Sequence, residues 1–227
     1  MFWRKSDEEN PYWISFTDLM SGFMVIFILV SLFLFAKKNP PPPVDPLKGK
    51  YAELVNVFQE RFSSIPEIDV DTTNAVIRFL ITENKETTFF LRAEREPTKY
   101  CEEVLDKFIP VFYDEIQKIK DISKDSFQIR EIRIEGHTDS QGEYLYNLKL
   151  SSQRALKVQE YIIRGLAKRD YPREFQYFIK GNSIACGYSF SHPLDKNGNP
   201  TAQSALPEDL DKSRRVEFRI LLEYKKS

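Results

Sequence analysis

Residues 128–155 read QIREIRIEGHTDSQGEYLYNLKLSSQRA, and they decide the predicted fold. From Gln128 to Gly136 isoleucines alternate with charged residues, a pattern that predicts a half-buried β-strand. From Leu148 to Leu166 apolar residues recur at helical spacing, which predicts an amphipathic helix. A strand that passes through a polar loop into a helix is a unit of a mixed α/β domain.

The flanking sequence extends this unit to an α/β (α+β) domain of β-α-β-α-β order, with one mixed sheet and two helices on one face. A hairpin is predicted where residues 68–71 and 75–81 alternate around a short polar turn, and a helix is predicted over residues 97–120, in which Pro110 can introduce a kink. Further strands are predicted at residues 89–91, 175–179 and 216–222.

An apolar run over residues 14–36 is long enough to span a bilayer as a helix and carries one charge, Asp18. Tyr12 and Trp13 precede it, where aromatic side chains favour the membrane interface. A signal peptide fits less well, because the run is too long, contains a carboxylate and lacks a small-residue cleavage site. The orientation is open on the residues alone, since a count of flanking lysines and arginines would place the C-terminal side in the cytoplasm.

Asp18 is the most informative residue of this run, because a carboxylate within a membrane span is costly and usually functional. One interpretation is a protonatable group on an ion path. The other is that Thr17 or Asp18 caps a shorter helix beginning at Leu19. A narrow face of small and polar residues suited to helix packing contains it, formed by Ser15, Asp18, Ser21, Gly22 and Val25. The residues expected to line the proton path or the helix contact are Ser15, Thr17, Ser21 and Gly22.

The predicted organisation follows from these features and from a proline run that favours polyproline II. It comprises a tail (residues 1–11), a transmembrane helix (12–36), a proline-rich linker (37–50), a linker helix (51–65) and the α/β domain (66–227). A formal net charge of −1 argues against a nucleic-acid partner. The cysteines and histidines lack zinc spacing, so neither a metal site nor a cofactor is predicted.

A candidate binding site lies where the strand meets the helix. Asp139 follows the strand, and Asn147, Leu150 and Arg154 share one face of the helix. A carboxylate opposite a guanidinium suits a ligand that carries both an ammonium and a carboxylate. The alternative is an internal Asp139–Arg154 pair that pins the loop. His137 is interpreted as a loop-shaping residue. No base–nucleophile pair can be argued around it, so no enzymatic activity is predicted.

The site lies within motifs that resemble the OmpA-like peptidoglycan-binding family. They are GHTDSQG at 136–142, YN at 146–147, LSSQRA at 150–155 and SRRVEFRI at 213–220. The resemblance implies that Asp139 and Arg154 hold the diaminopimelate of the cell-wall stem peptide, that Asn147 and Leu150 line the site, and that Tyr146 supports it. Arg214 either belongs to this site or is a strand residue paired with a loop carboxylate.

The N-terminal sequence PYWISFTDLMSGFMVIFILV, residues 11–30, is similar to the B subunits of proton-driven stators, above all those of Zorya anti-phage defence systems. The similarity implies a homodimer inside a ring of multi-span A subunits, with Asp18 as the proton carrier. It also implies an inner-membrane protein with its N-terminus in the cytoplasm and its domain in the periplasm, where the cell wall lies. This topology overrides the count of positive charges.

Alternatives within this resemblance are a flagellar or other motor stator and a passive tether between membrane and cell wall. Serine and threonine near Asp18 would suit sodium as well as a proton. In an oxidising periplasm, Cys101 and Cys186 are predicted to form a disulfide, the alternative being two separate buried thiols.

Overall fold

The computed structural model describes residues 11–38, 46–71, 76–80, 89–91, 93–122 and 127–225. The chain divides into two compact units, residues 1–45 and residues 46–227. The predicted N-terminal tail and most of the proline run lie outside the described residues.

The first unit contains one helix, α1 (Pro11–Lys38). Residues Phe16–Phe35 of α1 are long and apolar enough to cross a membrane, and no other helix in the described ranges passes that test. Every described side chain between these two residues is exposed within the protein. A helix that is apolar on all sides and exposed along its apolar length is consistent with a single membrane span.

Asp18 lies in the interior of α1, because the helix begins at Pro11. The interpretation of Thr17 or Asp18 as a cap for a helix beginning at Leu19 is therefore wrong. Ser21 donates its hydroxyl to the carbonyl oxygen of Thr17 at 2.7 Å, which satisfies one polar group inside the helix. Gly22 has open space beside it, so another helix could approach closely there.

The second unit is a five-stranded sheet with helices packed on one face. Its elements are α2 (Pro46–Phe62), β1 (Ile68–Asp71), β2 (Val76–Leu80), α3 (Lys99–Ile122), β3 (Phe127–His137), α4 (Tyr144–Lys168), α5 (Arg173–Asn182), β4 (Ser183–Gly187), α6 (Leu210–Ser213) and β5 (Arg215–Tyr224). The strand order is β1-β2-β5-β3-β4. Strands β3 and β4 run parallel and the other pairs run antiparallel, so the sheet is mixed, as predicted.

An aromatic cluster fills the space between the sheet and the helices. The ring of Phe108 lies 4.9 Å from Phe218, 5.0 Å from Phe79 and 5.3 Å from Phe62, measured between centroids. Phe62 belongs to α2, so this helix shares the domain's core. The hydroxyl of Tyr51 on α2 also accepts a hydrogen bond from the backbone N–H of Leu222 at 2.7 Å. Helix α2 is thus part of the folded unit, which begins at Pro46.

Strand β3 contains a bulge at Arg130. Ile129 pairs with Leu222 and Glu131 pairs with Leu221, which leaves Arg130 as an extra residue. Because of this residue, the apolar side chains before and after the bulge all reach the core.

Two predicted strands are wrong. Residues 175–179 belong to helix α5, where Phe175 and Ile179, four residues apart, are both buried. A short apolar run with helical spacing resembles the alternation of a strand, and the strand itself is β4, which follows directly. Residues 89–91 contribute only an isolated bridge between Phe90 and Pro97.

The predicted disulfide is absent from the structure, where both cysteines are free thiols. Cys101 belongs to α3 and is buried in the core between that helix and the sheet. Cys186 pairs with Glu135 in the sheet, and its neighbour Ala185 is the one that packs against the core. The two thiols therefore lie on opposite faces of the sheet. Burial raises the pKa of the Cys186 thiol to about 11.

Candidate binding site

Two glycines position helix α4 directly on the sheet. Gly136 and Gly187 are paired at the ends of β3 and β4. A Cβ at Gly136 would overlap the carbonyl oxygen of Ser151, and one at Gly187 would overlap the backbone and hydroxyl of Ser152. Helix α4 can approach the strand ends this closely only because neither position has a side chain. The loop after β3 and the face of α4 are thereby brought together.

Asp139, in the loop after β3, pairs with Arg214 rather than with Arg154. Its Oδ2 accepts from Nη1 of Arg214 at 2.6 Å, and its Oδ1 accepts from the backbone N–H of Gln141 at 3.1 Å. Arg214 also pairs with Asp211 and immediately precedes β5. The internal Asp139–Arg154 pair is therefore replaced by an Asp139–Arg214 pair, and Arg214 is not itself a strand residue.

Arg154 is a buried cation, 5% exposed, that bonds to backbone oxygens. Its Nε donates to the carbonyl oxygen of Glu94 at 3.0 Å and its Nη2 to that of Leu91 at 3.2 Å, while the guanidinium lies 5.0 Å from the centre of the Phe90 ring. Within the described ranges no carboxylate lies at ion-pair distance from it. A buried charge without a counter-charge is costly unless a ligand supplies one.

Several charges converge on Arg154. Burial is the main reason that the pKa of Arg154 falls to about 10, and the charge of Arg214 lowers it further, whereas Asp139 and Tyr146 act in the opposite direction. The guanidinium therefore remains protonated at neutral pH. The structure brings these four predicted residues into one electrostatic environment.

A cleft of about 380 Å³ opens between helix α4 and the segment formed by residues 89–91 and 93–98, here called the cleft loop. It is lined by Ala93, Glu94, Arg95, Tyr146, Lys149, Leu150 and Gln153. Ala93 adopts a left-handed backbone conformation with φ of 60°, which is uncommon outside glycine and is found at functional sites.

The remaining predicted residues take different positions around this cleft. Leu150 and the half-exposed Tyr146 line it. Asn147 is buried and does not line it, but donates from Nδ2 to the carbonyl oxygen of Gln141 at 2.8 Å and so orders the loop that carries Asp139. The cleft loop is not predicted from the sequence, because its residues precede the recognisable motifs and carry no pattern of their own.

The face of the sheet opposite the helices carries a buried charge network. Oε1 of Glu217 accepts from Nε of Arg78 at 3.1 Å and from Nε of Arg215 at 2.6 Å. Glu135 accepts from Nε and Nη2 of Arg219 at 3.2 and 3.3 Å. Burial disfavours the charge of Glu217 and is the largest single influence, but the neighbouring cations outweigh it and lower its pKa to about 2.

His137 lies within this network, 3% exposed. In the part of the chain that the structure describes, neither ring nitrogen has a hydrogen-bond partner. Nε2 lies 3.7 Å from Oε2 of Glu217 and 3.9 Å from Oε2 of Glu135, and the ring stacks on Tyr188 at 5.2 Å. Burial, assisted by the charge of Arg215, lowers the pKa of His137 to about 3, so the imidazole is neutral at physiological pH.

Glu135, His137 and Glu217 are also the described residues that could hold a metal ion, since one ligand atom of each lies within 4.8 Å of the others. Both carboxylates are already bonded to arginines. A cation there would have to displace guanidinium groups, which makes the cluster a poor metal site.

Residues 110–205 match the OmpA family. The second unit is thus an OmpA-like domain with a mixed sheet, as the motifs predicted. Over 96% of its length, the chain is 26% identical to Zorya protein ZorB of Escherichia coli strain Crooks and covers 90% of that protein. It is 27% identical to Zorya protein ZorB of Escherichia coli O139:H28, again over 96% of its length, and covers 83% of that protein. The resemblance to Zorya B subunits is confirmed.

A solved structure of a putative MotB-like protein from Desulfovibrio vulgaris is 18% identical and matches with a TM-score of 0.43. The match covers 79% of this chain and 94% of that one.

Proposed function

We propose that this chain is the peptidoglycan-anchored B subunit of a proton-driven inner-membrane stator that acts in anti-phage defence. The observation that carries the anchoring function is Arg154, a buried guanidinium without a carboxylate partner in the described residues, beside an open cleft and close to Asp139. Similarity to the ZorB proteins over nearly the whole chain supports the defence role.

The site suits the zwitterionic end of diaminopimelate. The ligand carboxylate would bind the guanidinium of Arg154, whose Nη1 is not used by the cleft loop. The ligand ammonium would bind Asp139, whose carboxylate is already held in position by Arg214 and by the backbone of Gln141. Arg214 therefore acts as a positioning residue for Asp139, which unites the two roles considered for it.

The proton-carrier role rests on Asp18. Asp18 lies near the N-terminal end of the apolar stretch Phe16–Phe35, where a carboxylate is costly and usually functional, and one charge crossing the membrane gains about 2.3 kcal/mol per 100 mV. Ser21 and Gly22 have small side chains, so α1 is narrow on this side and A-subunit helices could pack closely against it. The topology proposed with this role places the N-terminus in the cytoplasm and the OmpA-like domain in the periplasm, with the chain acting as a homodimer inside the A-subunit ring.

The anchoring function is tested by pull-down of isolated cell-wall sacculi. Arg154→Ala should weaken binding by about 2–5 kcal/mol, because the ligand carboxylate loses its buried partner. Arg164→Ala is the matched control, since Arg164 is on the same helix and its side chain is 81% exposed. Equal binding by wild type and a folded Arg154→Ala protein would contradict the assignment.

The proton-carrier role is tested by Asp18→Asn in a phage-plating assay, with pull-down of the A subunit as the check on assembly. Asparagine keeps the size of the side chain but cannot cycle between charged and neutral forms. We expect assembly to persist and protection to be lost, with Asp18→Glu retaining part of it. Full protection by an assembled Asp18→Asn complex would favour the passive tether. Protection lost without effect on motility would separate the defence role from a flagellar one.

A further inference from the structure

The cleft beside Arg154 has a charge pattern that the diaminopimelate site does not use. Tyr146, Lys149, Leu150 and Gln153 recur at helical spacing and form one stripe along α4. The opposite wall is the cleft loop, with Ala93, Glu94 and Arg95. The two basic side chains outnumber the one acidic side chain, so the cleft favours an anion.

Arg154 holds this wall in place. Its bonds to the carbonyl oxygens of Leu91 and Glu94, and its position against the Phe90 ring, attach the cleft loop to α4. The same guanidinium therefore faces the zwitterion site and fixes the shape of the adjoining cleft. A ligand bound at Arg154 that extends along α4 would enter the stripe that contains Lys149.

Lys149 is available for such a ligand. It is exposed at the cleft and has no hydrogen-bond or ion-pair partner among the described residues. Among the described residues, Arg95 on the facing wall pairs with the exposed Glu96 alone, at 3.8 Å, a weak contact that a ligand carboxylate can replace. Gln153, one turn after Lys149, adds an amide that can donate or accept.

We propose that this cleft is a second subsite, which binds a free carboxylate of an acidic peptide, with Lys149 and Arg95 as specificity-determining residues. The inference rests on the proposed peptidoglycan function. In a stem peptide whose diaminopimelate occupies Asp139 and Arg154, the carboxylate in question is the α-carboxylate of the adjoining γ-linked D-glutamate. The protein thereby distinguishes cell wall with a free D-glutamate from cell wall in which that group is amidated.

The test compares two soluble peptides, L-Ala-γ-D-Glu-diaminopimelate and the same peptide with D-isoglutamine in place of D-glutamate. Affinities are measured by calorimetry on the full chain in detergent micelles. The wild type should bind the free acid about two- to five-fold more tightly than the amide, the range of an exposed charge pair. Lys149→Gln and Arg95→Gln should each reduce that preference by weakening binding of the acid and not of the amide.

Lys168→Gln is the control, because Lys168 is on the same helix, roughly 28 Å from Lys149 at 1.5 Å per residue. It should leave the preference unchanged. Equal binding of both peptides by the wild type, or a preference that survives both cleft variants, would overturn the subsite and leave peptidoglycan binding intact. Failure of the wild type to bind either peptide would overturn the proposed anchoring function and the subsite with it.

Discussion

His137 should make the stability of the OmpA-like domain depend on pH, and replacing it with phenylalanine should remove that dependence. The imidazole is buried, and neither of its nitrogens is hydrogen-bonded to any of the described residues. His137→Phe therefore removes no hydrogen bond to those residues. Phenylalanine can retain the stacking on Tyr188. The variant therefore differs from the wild type mainly in having no group to protonate.

The sign and size follow from the pKa of His137, which is about 3 in the folded protein and about 6.5 in an unfolded chain. Between these values the unfolded chain binds a proton that the folded domain does not bind. The free energy of unfolding therefore falls as the pH falls, by about 1.4 kcal/mol per pH unit at full slope. From pH 6 to pH 4 the loss attributable to His137 is about 2.5 kcal/mol.

Urea unfolding of the unit that begins at Pro46 measures this loss, because that unit has its own hydrophobic core. The wild type should lose about 2.5 kcal/mol more than His137→Phe between pH 6 and pH 4. Glu217, whose pKa is lowered to about 2 mainly by Arg215 and partly by His137, contributes stability that is lost below about pH 4.3 in both proteins.

His192→Phe is the matched control, since His192 is the second of two histidines and is exposed. It should retain most of the wild-type pH dependence, because the charge of His192 influences the pKa of His137 less than burial and Arg215 do. Parallel stability curves for wild type and His137→Phe over this range would refute the claim that His137 is held neutral by the fold.

Two further predictions concern the packing of α4 on the sheet and the two cysteines. Gly136→Ala should destabilise the domain by about 1–3 kcal/mol in urea unfolding, because its Cβ would meet the backbone of Ser151. Gly181→Ala is the control, since Gly181 has open space around it, and it should not destabilise the domain. Equal stability of the two variants would argue against the close contact. Thiol titration of the unreduced, denatured protein should find two free thiols. In the native protein the half-buried Cys186 should react before the buried Cys101. Finding no free thiol in the denatured protein would support the predicted disulfide instead.

The sequence predicted the class of the fold because its strongest patterns are local. The alternation before Gly136 and the helical spacing after Leu148 are periodic over many residues, and both elements are present as β3 and α4. The strand at 175–179 failed for the opposite reason. Five residues with apolar groups four apart fit a short buried helix as well as a strand, and only packing decides between them.

The sequence predicted which residues of the candidate site lie together, but not how they pair. Motif spacing identified Asp139, Arg154 and Arg214 together, but which arginine bonds to the carboxylate depends on how β5 enters the sheet. The cleft loop lies far from α4 in sequence, and its contact with Arg154 is made through backbone oxygens, which any residue type supplies. No side-chain pattern could have revealed it.

The bulge in β3 also determines where the chain can tolerate a change in length. Arg130 has no partner on β5, so deleting it would leave Ile129 and Ile132 facing the core and the pairing on either side intact. Deleting Arg133 would instead turn every later side chain of the strand over, and Gly136 would no longer lie beneath α4. The candidate site therefore keeps its position when one residue is removed at Arg130, but not when one is removed later in the strand.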